Sequence, residues 1–419
     1  MRFLYFFVIK LYSFLIFLAG FFDKKAKQWT KGRKNILKSI EAEVKTGEKI
    51  AWFHTASLGE FEQGRPLIEA FRKKYPDFKI VLTFFSPSGY EVRKNYSGAD
   101  YIFYLPLDTP GNAKKFIEIV DPQIVFFVKY EFWYNFLKIL KSKGKPVFIV
   151  SGIFREEQHF FKWYGSWFRK ILEMITSFFV QNNESKELLN FIGLENVEIS
   201  GDTRFDRVFE IAQNKKSFPL IEVFKHDSDI FLGGSTWPAD EELIISLINK
   251  KEEKLKFIIA PHEVHKERIR SLKEKFPKDV LLFSDLVSDN VKKEEIKNSN
   301  ILIIDSIGIL YHLYQYAKFA YIGGGFGVGI HNILEAVTFG KPVFFGPKYK
   351  KFQEANDLIN LGGAFCVHNN SELIDNVEDF LKNTEKYDRC SKICSNYILN
   401  KKGATEVILK KTESVFYSG

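Results

Sequence analysis

The sequence predicts two α/β domains, each an open parallel sheet with helices on both faces. Three observations lead there. After residue 48, short apolar runs of strand length alternate with longer amphipathic stretches, and the rhythm pauses once near residues 209–228 before restarting. The apolar runs are continuous rather than half polar, which is what a sheet covered on both faces requires. The length of 419 residues is two to three times a typical domain of about 150.

Taken in chain order, residues 3–22, FLYFFVIKLYSFLIFLAGFF, are apolar except for Lys10, and the basic run KKAKQWTKGRK follows. Such a helix can cross about 30 Å of hydrocarbon. Its positive charge is heaviest after the apolar run and no A-x-A site follows, so a retained membrane segment is expected over a cleaved signal. The positive-inside rule then puts the bulk of the chain in the cytoplasm. Lys10 leaves room for an in-plane helix whose lysine snorkels to the interface. Residues 1–34 are thus an anchor with a basic flank. A first domain over 35–208 takes the strand candidates KIAWFHTAS, FKIVLTFFS, YIFYLP, PQIVFFVKY, KPVFIVSG and TSFFVQ. The polar stretch Asn214–Ser217 with Pro219 marks a linker over 209–228. A second domain over 229–419 takes DIFLGGST, KFIIAPHE, DVLLFSD, NILIIDSIG, FAYIGGG and KPVFFGP, with helices from 370 onward.

Apolar types at 45% and charged types at 27% exclude a disordered chain and a polytopic membrane protein. Lysine and arginine outnumber the acids 61 to 52, a net +9 that favours anionic partners: nucleic acid, a nucleotide or phosphorylated lipid, or an anionic membrane face. Lysine-rich pieces such as KKEEKLK read as solvated helix faces rather than nucleic-acid patches. Cys366, Cys390 and Cys394 form no CxxC pair, which fits a reducing compartment. The 44 phenylalanines exceed what a core of this size holds, so part of the excess is expected on a surface or in a membrane.

Ligands of open α/β sheets bind beyond the carboxyl ends of the strands. There, Glu60 and Glu62 follow KIAWFHTAS at the turn into a helix, where a carboxylate serves either capping or chemistry. Glu131 leaves PQIVFFVKY among Phe132, Trp133, Tyr134 and Asn135. Desolvation there suits acid/base work, and an ion pair with Lys129 is the plain alternative. In GGSTWPADEE, small residues ahead of a helix let backbone N–H groups approach a phosphate. The segment 319–347 places five glycines between a strand and a helix, without a G-x-G-x-x-G register or a P-loop ending. It suits close backbone access to a ligand phosphate, with Glu335 placed to accept from ribose hydroxyls. His262-Glu263-Val264-His265 is one residue short of H-E-x-x-H, and no G-x-S-x-G elbow occurs, so neither zinc nor a serine nucleophile is expected.

In order along residues 49 to about 360, HTASLGEFEQGRPL, KYEFWYN, FVQNNESKELL, GDTRFDRV, GGSTWPADEE, APHEVHKERI and GGGFGVGIHNILEAVTFGKPVFFGP resemble the 3-deoxy-D-manno-octulosonic acid (Kdo) transferases of lipopolysaccharide biosynthesis. The resemblance implies a GT-B glycosyltransferase fold, two Rossmann-like domains with a central cleft, and an N-terminal membrane-anchoring helix. It implies an inverting enzyme moving Kdo from CMP-Kdo to the glucosamine hydroxyl of a lipid A precursor (lipid IVA-like). That enzyme would be held by a single-pass or monotopic anchor on the cytoplasmic side of the inner membrane. The first domain would bind the acceptor and the second CMP-Kdo, with no metal, no other cofactor and no nucleic acid. Glu60 matches the family's general base in S-x-G-E, and Glu131 its second acidic position, which orients the acceptor or supports the base. Pro261 and His262 match the A-P-R nucleotide contact, Ile307, Gly308 and Ile309 the loop after the D-T-x-G strand, and Asn332, Ile333, Leu334 and Glu335 the H-N-x-L-E segment. Ser235 is a further phosphate or Kdo-carboxylate contact. The chain departs from the family at His262, where arginine is usual, at Tyr134 in place of the proline of W-P-N, and in SGIFR over 151–155. The alternative within this architecture is a transferase using a UDP-sugar and a lipid acceptor. The aromatic, basic stretch HFFKWYGSWFRKIL (159–172), with Phe161 and Trp167, reads either as a surface for bilayer or acyl chains or as an ordinary buried helix.

Overall fold

A computed structural model describes residues 1–250, 255–276, 280–288 and 290–414. The chain divides into two compact units, Met1–Arg207 joined by the chain from Lys402 onward, and Val208–Lys401.

Unit 1 holds β1 (Ile50–Thr55), β2 (Lys79–Phe84), β3 (Tyr101–Tyr104), β4 (Ile124–Val128), β5 (Val147–Gly152), β6 (Ser177–Val180) and β7 (Val197–Ile199). They form one parallel sheet in the order β3-β2-β1-β4-β5-β6-β7. Every residue of β1, β4 and β5 is buried, as their continuous apolar runs require. The two-residue period sends Trp52 and Phe127 to one face, where they meet Phe116 and Phe136, and Phe53 and Phe126 to the other, where they meet Phe71 and Leu67. Facing ring pairs such as Phe53–Phe126, 4.7 Å between centroids, absorb many of the phenylalanines.

Three helices precede β1: α1 (Arg2–Ala19), α2 (Lys24–Gly32) and α3 (Ile36–Glu43). By length and composition α1 can cross a membrane. It nevertheless has two sides. Tyr5, Ile9, Ser13 and Ile16 recur every three or four residues and are half-buried, whereas Phe3, Phe7, Leu11, Phe14, Leu15 and Leu18 are exposed. Just after α2, the half-buried Arg33 guanidinium lies over Trp29, Phe85 and Tyr104 at 4.0–5.0 Å and donates to the carbonyls of Phe85 (2.7 Å) and Leu105 (2.9 Å). In 159–172, Phe161 and Trp167 pack against the core, and the outward residues are Trp163, 92% exposed, and Tyr164.

Unit 2 repeats the architecture with β8 (Asp229–Thr236), β9 (Leu255–Pro261), β10 (Val280–Leu282), β11 (Ile301–Ile303), β12 (Phe319–Ile322), β13 (Val343–Phe345) and β14 (Ala364–Cys366), all parallel in the order β10-β11-β9-β8-β12-β13-β14. Residues 251–254 of KKEEKLK and Asp279 of DVLLFSD lie outside the described residues. Lys256, expected on a solvated face, is instead a buried β9 residue whose ammonium donates to the carbonyls of Phe224 and Lys297.

The domain borders differ from the sequence reading at two places. Residues 209–228 are largely helical rather than a plain linker: helix Thr203–Gln213 runs into them, and Pro219 opens helix Pro219–Lys225, which buries Ile221 and Phe224. The chain after 401, read as the end of the second domain, returns to unit 1. Asp206 accepts from the backbone N–H of Gly403 (2.5 Å) and Thr405 (2.7 Å), capping helix Ala404–Thr412. Ile408 and Leu409 then join the core beside α4 (Leu58–Lys74). Replacing Asp206 by Ala should destabilise unit 1 by about 1–2 kcal/mol. The change is read as a lower denaturant midpoint with an unchanged slope, together with faster proteolysis within 402–414.

Candidate active site

In unit 1 the strand order reverses direction between β1 and β4, so the chain leaves these neighbours toward opposite faces and opens a crevice at their carboxyl ends. Both carboxylates singled out from the sequence stand there. Glu60 lies in the first turn of α4, and the Ser57 hydroxyl donates to its carboxylate. Its neighbour Glu62 is taken up in ion pairs with Arg93 (2.6 Å) and Arg65 (4.0 Å). Glu131 follows β4 across Lys129, held at φ +66°, a left-handed backbone that turns the chain sharply at the strand end.

Glu131 meets His54 and Trp133. The carboxylate is 12% exposed, and its Oε2 is 3.1 Å from His54 Nε2 and 2.8 Å from the Trp133 indole nitrogen, which donates to it. His54 is fully buried on β1, and its Nδ1 lies 2.8 Å from the Thr83 hydroxyl, which in turn accepts from Trp52 Nε1 at 2.8 Å. The carboxylate facing Nε2 calls for a proton there, while Nδ1 faces both the Thr83 hydroxyl and, at 3.1 Å, the Thr83 carbonyl. The chain Trp52, Thr83, His54, Glu131 thus runs from the core to the site. Burial pushes the Tyr130 phenol above its ordinary value, Arg155 beside it pulls the other way, and the Glu60 charge adds to the rise. Tyr130 thus stands close to both Arg155 and Glu60. His54, Trp133, Tyr130 and Arg155 were missed as site residues. The signal for His54 was a lone polar residue inside an apolar run.

In unit 2 the reversal lies between β8 and β12. Ser235, at φ +52°, lies one residue before the end of β8, and the glycine loop leaves β12. A Cβ on Gly323 would collide with the Ser235 carbonyl, which is why that position carries no side chain. Gly324, at φ +94°, donates its N–H to Asp240 Oδ2 at 2.9 Å. Buried Asp240 also accepts from Tyr321 (2.9 Å) and from the Trp237 backbone (2.9 Å), so one carboxylate ties the loops on both sides of the reversal. Its carboxyl is raised by burial against these hydrogen bonds.

The remaining predicted residues gather unevenly. His262 follows buried Pro261 at the end of β9 and stacks between Trp237 (4.7 Å) and His331 (4.5 Å). The Trp237 indole donates to His331 Nε2 at 3.2 Å. Asn332 donates to Glu335 at 3.2 Å, whereas the side chains of Ile333 and Leu334 are fully buried, leaving only their backbone to meet a ligand. Ile307 is 87% exposed beyond β11, with Gly308 at φ +89° and Ile309 partly covered beside it. The sequence did not single out Trp237, Asp240, Tyr321 or His331. Among the described residues, no three His, Cys, Asp or Glu side chains gather as a metal-binding group would.

Two doubly wound parallel domains, each with polar residues gathered at its reversal point, are the GT-B-like architecture that glycosyltransferases share with UDP-GlcNAc 2-epimerases. Residues 28–207, most of unit 1, match the family described as 3-Deoxy-D-manno-octulosonic-acid transferase (kdotransferase), and the chain is similar to enzymes of that name. It is 26% identical over 332 residues to the 3-deoxy-D-manno-octulosonic acid transferase of Chlamydophila psittaci, covering 76% of this chain and 74% of that one. With the enzyme of the same name from Aquifex aeolicus it shares 28% over 338 residues, 79% and 85% of the two chains. Among solved structures, a glycosyltransferase from Rickettsia africae aligns with a TM-score of 0.56 at 14% identity, over 89% of this chain and 100% of that one. The UDP-GlcNAc 2-epimerase of Neisseria meningitidis bound to UDP-GlcNAc gives 0.60 at 16%, over 87% and 100%. At these identities the structures speak for the fold.

Burial first, and then the neighbouring His262, lowers His331 from its ordinary 6.5 to about 4. Between those values the unfolded chain holds a proton that the folded unit does not, so stability should fall as pH drops through that window. Protection factors of the amides in β8, β9 and β12, with the intrinsic pH dependence of exchange divided out, should fall from pH 6.5 toward 4, and His331→Asn should flatten that dependence.

Proposed function

We propose that this protein is an inverting transferase moving Kdo from CMP-Kdo to the glucosamine hydroxyl of a lipid A precursor, at the cytoplasmic face of the inner membrane. The reading is carried by one observation: the segment that matches the Kdo transferase family places Glu60 and Glu131 together at the β1/β4 reversal. In the reaction, the acceptor oxygen attacks the anomeric carbon of Kdo as its bond to the CMP phosphate breaks. CMP leaves with the bonding electrons, and the hydroxyl proton passes to the Glu60 carboxylate. Glu131, fixed by His54 and Trp133, orients the acceptor and presents a stationary charge.

Unit 2 is assigned to the donor. Ser235 and the glycine-loop amides meet the phosphate or the Kdo carboxylate, Pro261, His262 and Ile307 to Ile309 meet the nucleotide, and Asn332 and Glu335 with the backbone of Ile333 and Leu334 meet the ribose. Where arginine is usual in the family, His262 supplies an imidazole stacked on Trp237. In this reading amides and basic side chains stabilise the leaving CMP, with no metal or further cofactor. The exposed face of α1 and the lysines Lys24, Lys25, Lys27 and Lys31 support a position for unit 1 at an anionic bilayer.

The test is transfer from CMP-Kdo, generated in situ, to a tetra-acylated lipid A precursor on membranes carrying the full-length protein. Glu60→Gln should lower kcat by about 100-fold or more while CMP still raises the melting temperature. No transfer by the intact protein, together with stabilisation by a uridine nucleotide, would replace this reading with a UDP-sugar transferase.

A further inference from the structure

Resting on that reading, we propose that α1 is a positioning element of the acceptor-side site as well as an anchor, acting on the Glu131 segment through Tyr5 and Tyr12. These side chains lie two helical turns apart on one face, Tyr5 against Tyr134 and Tyr12 against Phe85, which packs on Trp133. The Tyr5 hydroxyl donates to Asp108 Oδ2 at 2.5 Å. Asp108 is 1% exposed, and its carboxylate accepts from the backbone N–H of Asn135 (3.0 Å) and Phe136 (3.1 Å). It therefore caps helix Tyr134–Ser142, whose first residue follows Trp133 directly. The Tyr5 ring also packs on Tyr134 at 5.7 Å and on Trp167 at 5.6 Å.

The second grip lies on the opposite side of Trp133. The Tyr12 ring stacks on Phe85 at 6.1 Å, and Phe85 lies 4.8 Å from the Trp133 ring, whose indole N–H is one of the donors to Glu131. Arg33 holds that loop through the Phe85 carbonyl. A helix serving only to hold the protein at a membrane needs neither a hydroxyl aimed at a buried carboxylate nor a ring seated on the loop beside Trp133. Tyr5 and Tyr12 touch no reacting atom in this arrangement; they act through Asp108, Phe85 and Trp133.

The experiment uses the full chain with acceptor dispersed in detergent micelles, where attachment to a bilayer no longer limits turnover. Tyr5→Phe keeps the ring and removes only the donor. It should lower kcat about tenfold, the scale of one hydrogen bond to a charged group. The KM for CMP-Kdo should stay within about twofold, as should flotation with phosphatidylglycerol/phosphatidylethanolamine vesicles. Tyr12→Ala should behave alike. Phe7→Ala, on the exposed face, should weaken vesicle flotation and leave micellar kcat unchanged. Amide exchange of Asn135 and Phe136 should quicken in Tyr5→Phe whatever the substrate, with β1 and β4 unaffected, so this readout stands even if transfer from CMP-Kdo is absent. Wild-type kcat in micelles for Tyr5→Phe, a loss of activity that merely tracks loss of flotation, or unchanged exchange at Asn135 and Phe136 would each overturn the proposal.

Discussion

Much of unit 1 depends on one requirement, that an imidazole buried without any exposed surface on a central strand must have both nitrogens satisfied. His54 meets it by joining Thr83 on β2 to Glu131 after β4, so a single hydrogen-bonded line crosses three adjacent strands. The line is closed at the core end by Trp52 and at the surface end by Trp133. Removing any member strands a polar group in a low-dielectric interior, where it costs far more than the bond itself contributed. The position of Glu131 is therefore set by His54 on the central strand together with the packed ring of Trp133.

Unit 2 solves the same problem with a different donor set. Asp240 accepts from Tyr321 on β12, from the Gly324 amide and from the Trp237 amide, so the loops on either side of its reversal point are locked to one buried carboxylate. The contrast lies in what each site then presents. Unit 1 surrounds its carboxylates with aromatic rings and a guanidinium, which suits an acceptor with apolar parts. Unit 2 brings glycine backbone and histidine rings to its edge, which suits a nucleotide: a flat base can stack, and amides can reach a phosphate unobstructed.

The fold class was legible because continuous apolar runs carry their own meaning; β1, β4 and β5 are buried throughout, as their composition demands. Glu60 and Glu131 were legible because a carboxylate directly after a buried strand occupies a place where α/β sheets keep their ligands. Partnerships between distant segments were not. Nothing in ATEVILKK says that its apolar stripe docks beside α4, since the capping Asp206 lies about 200 residues earlier. Within HFFKWYGSWFRKIL every aromatic residue looks alike, and only packing decides that Trp167 faces Tyr5 while Trp163 faces outward. His54 was hidden by the apolar residues around it, because its meaning depends on Thr83 and Glu131 in other strands.

The two carboxylates of unit 1 differ in how much of their hydrogen-bonding capacity is already committed. Glu131 Oε2 accepts from two N–H groups, and both come from rings wedged in the packed interior, His54 by its strand and Trp133 by Phe85. Its lone pairs on that oxygen are occupied and its charge cannot move. Glu60 has the Ser57 hydroxyl, a partner on the same turn of helix that can rotate away. A group that must accept a proton during a reaction needs a lone pair free to receive it, while a group that must orient a substrate needs to stay where it is. On the proposed reading, the carboxylate at the start of α4, held by a single hydroxyl, suits the base, and the one held by two ring N–H groups suits the fixed charge.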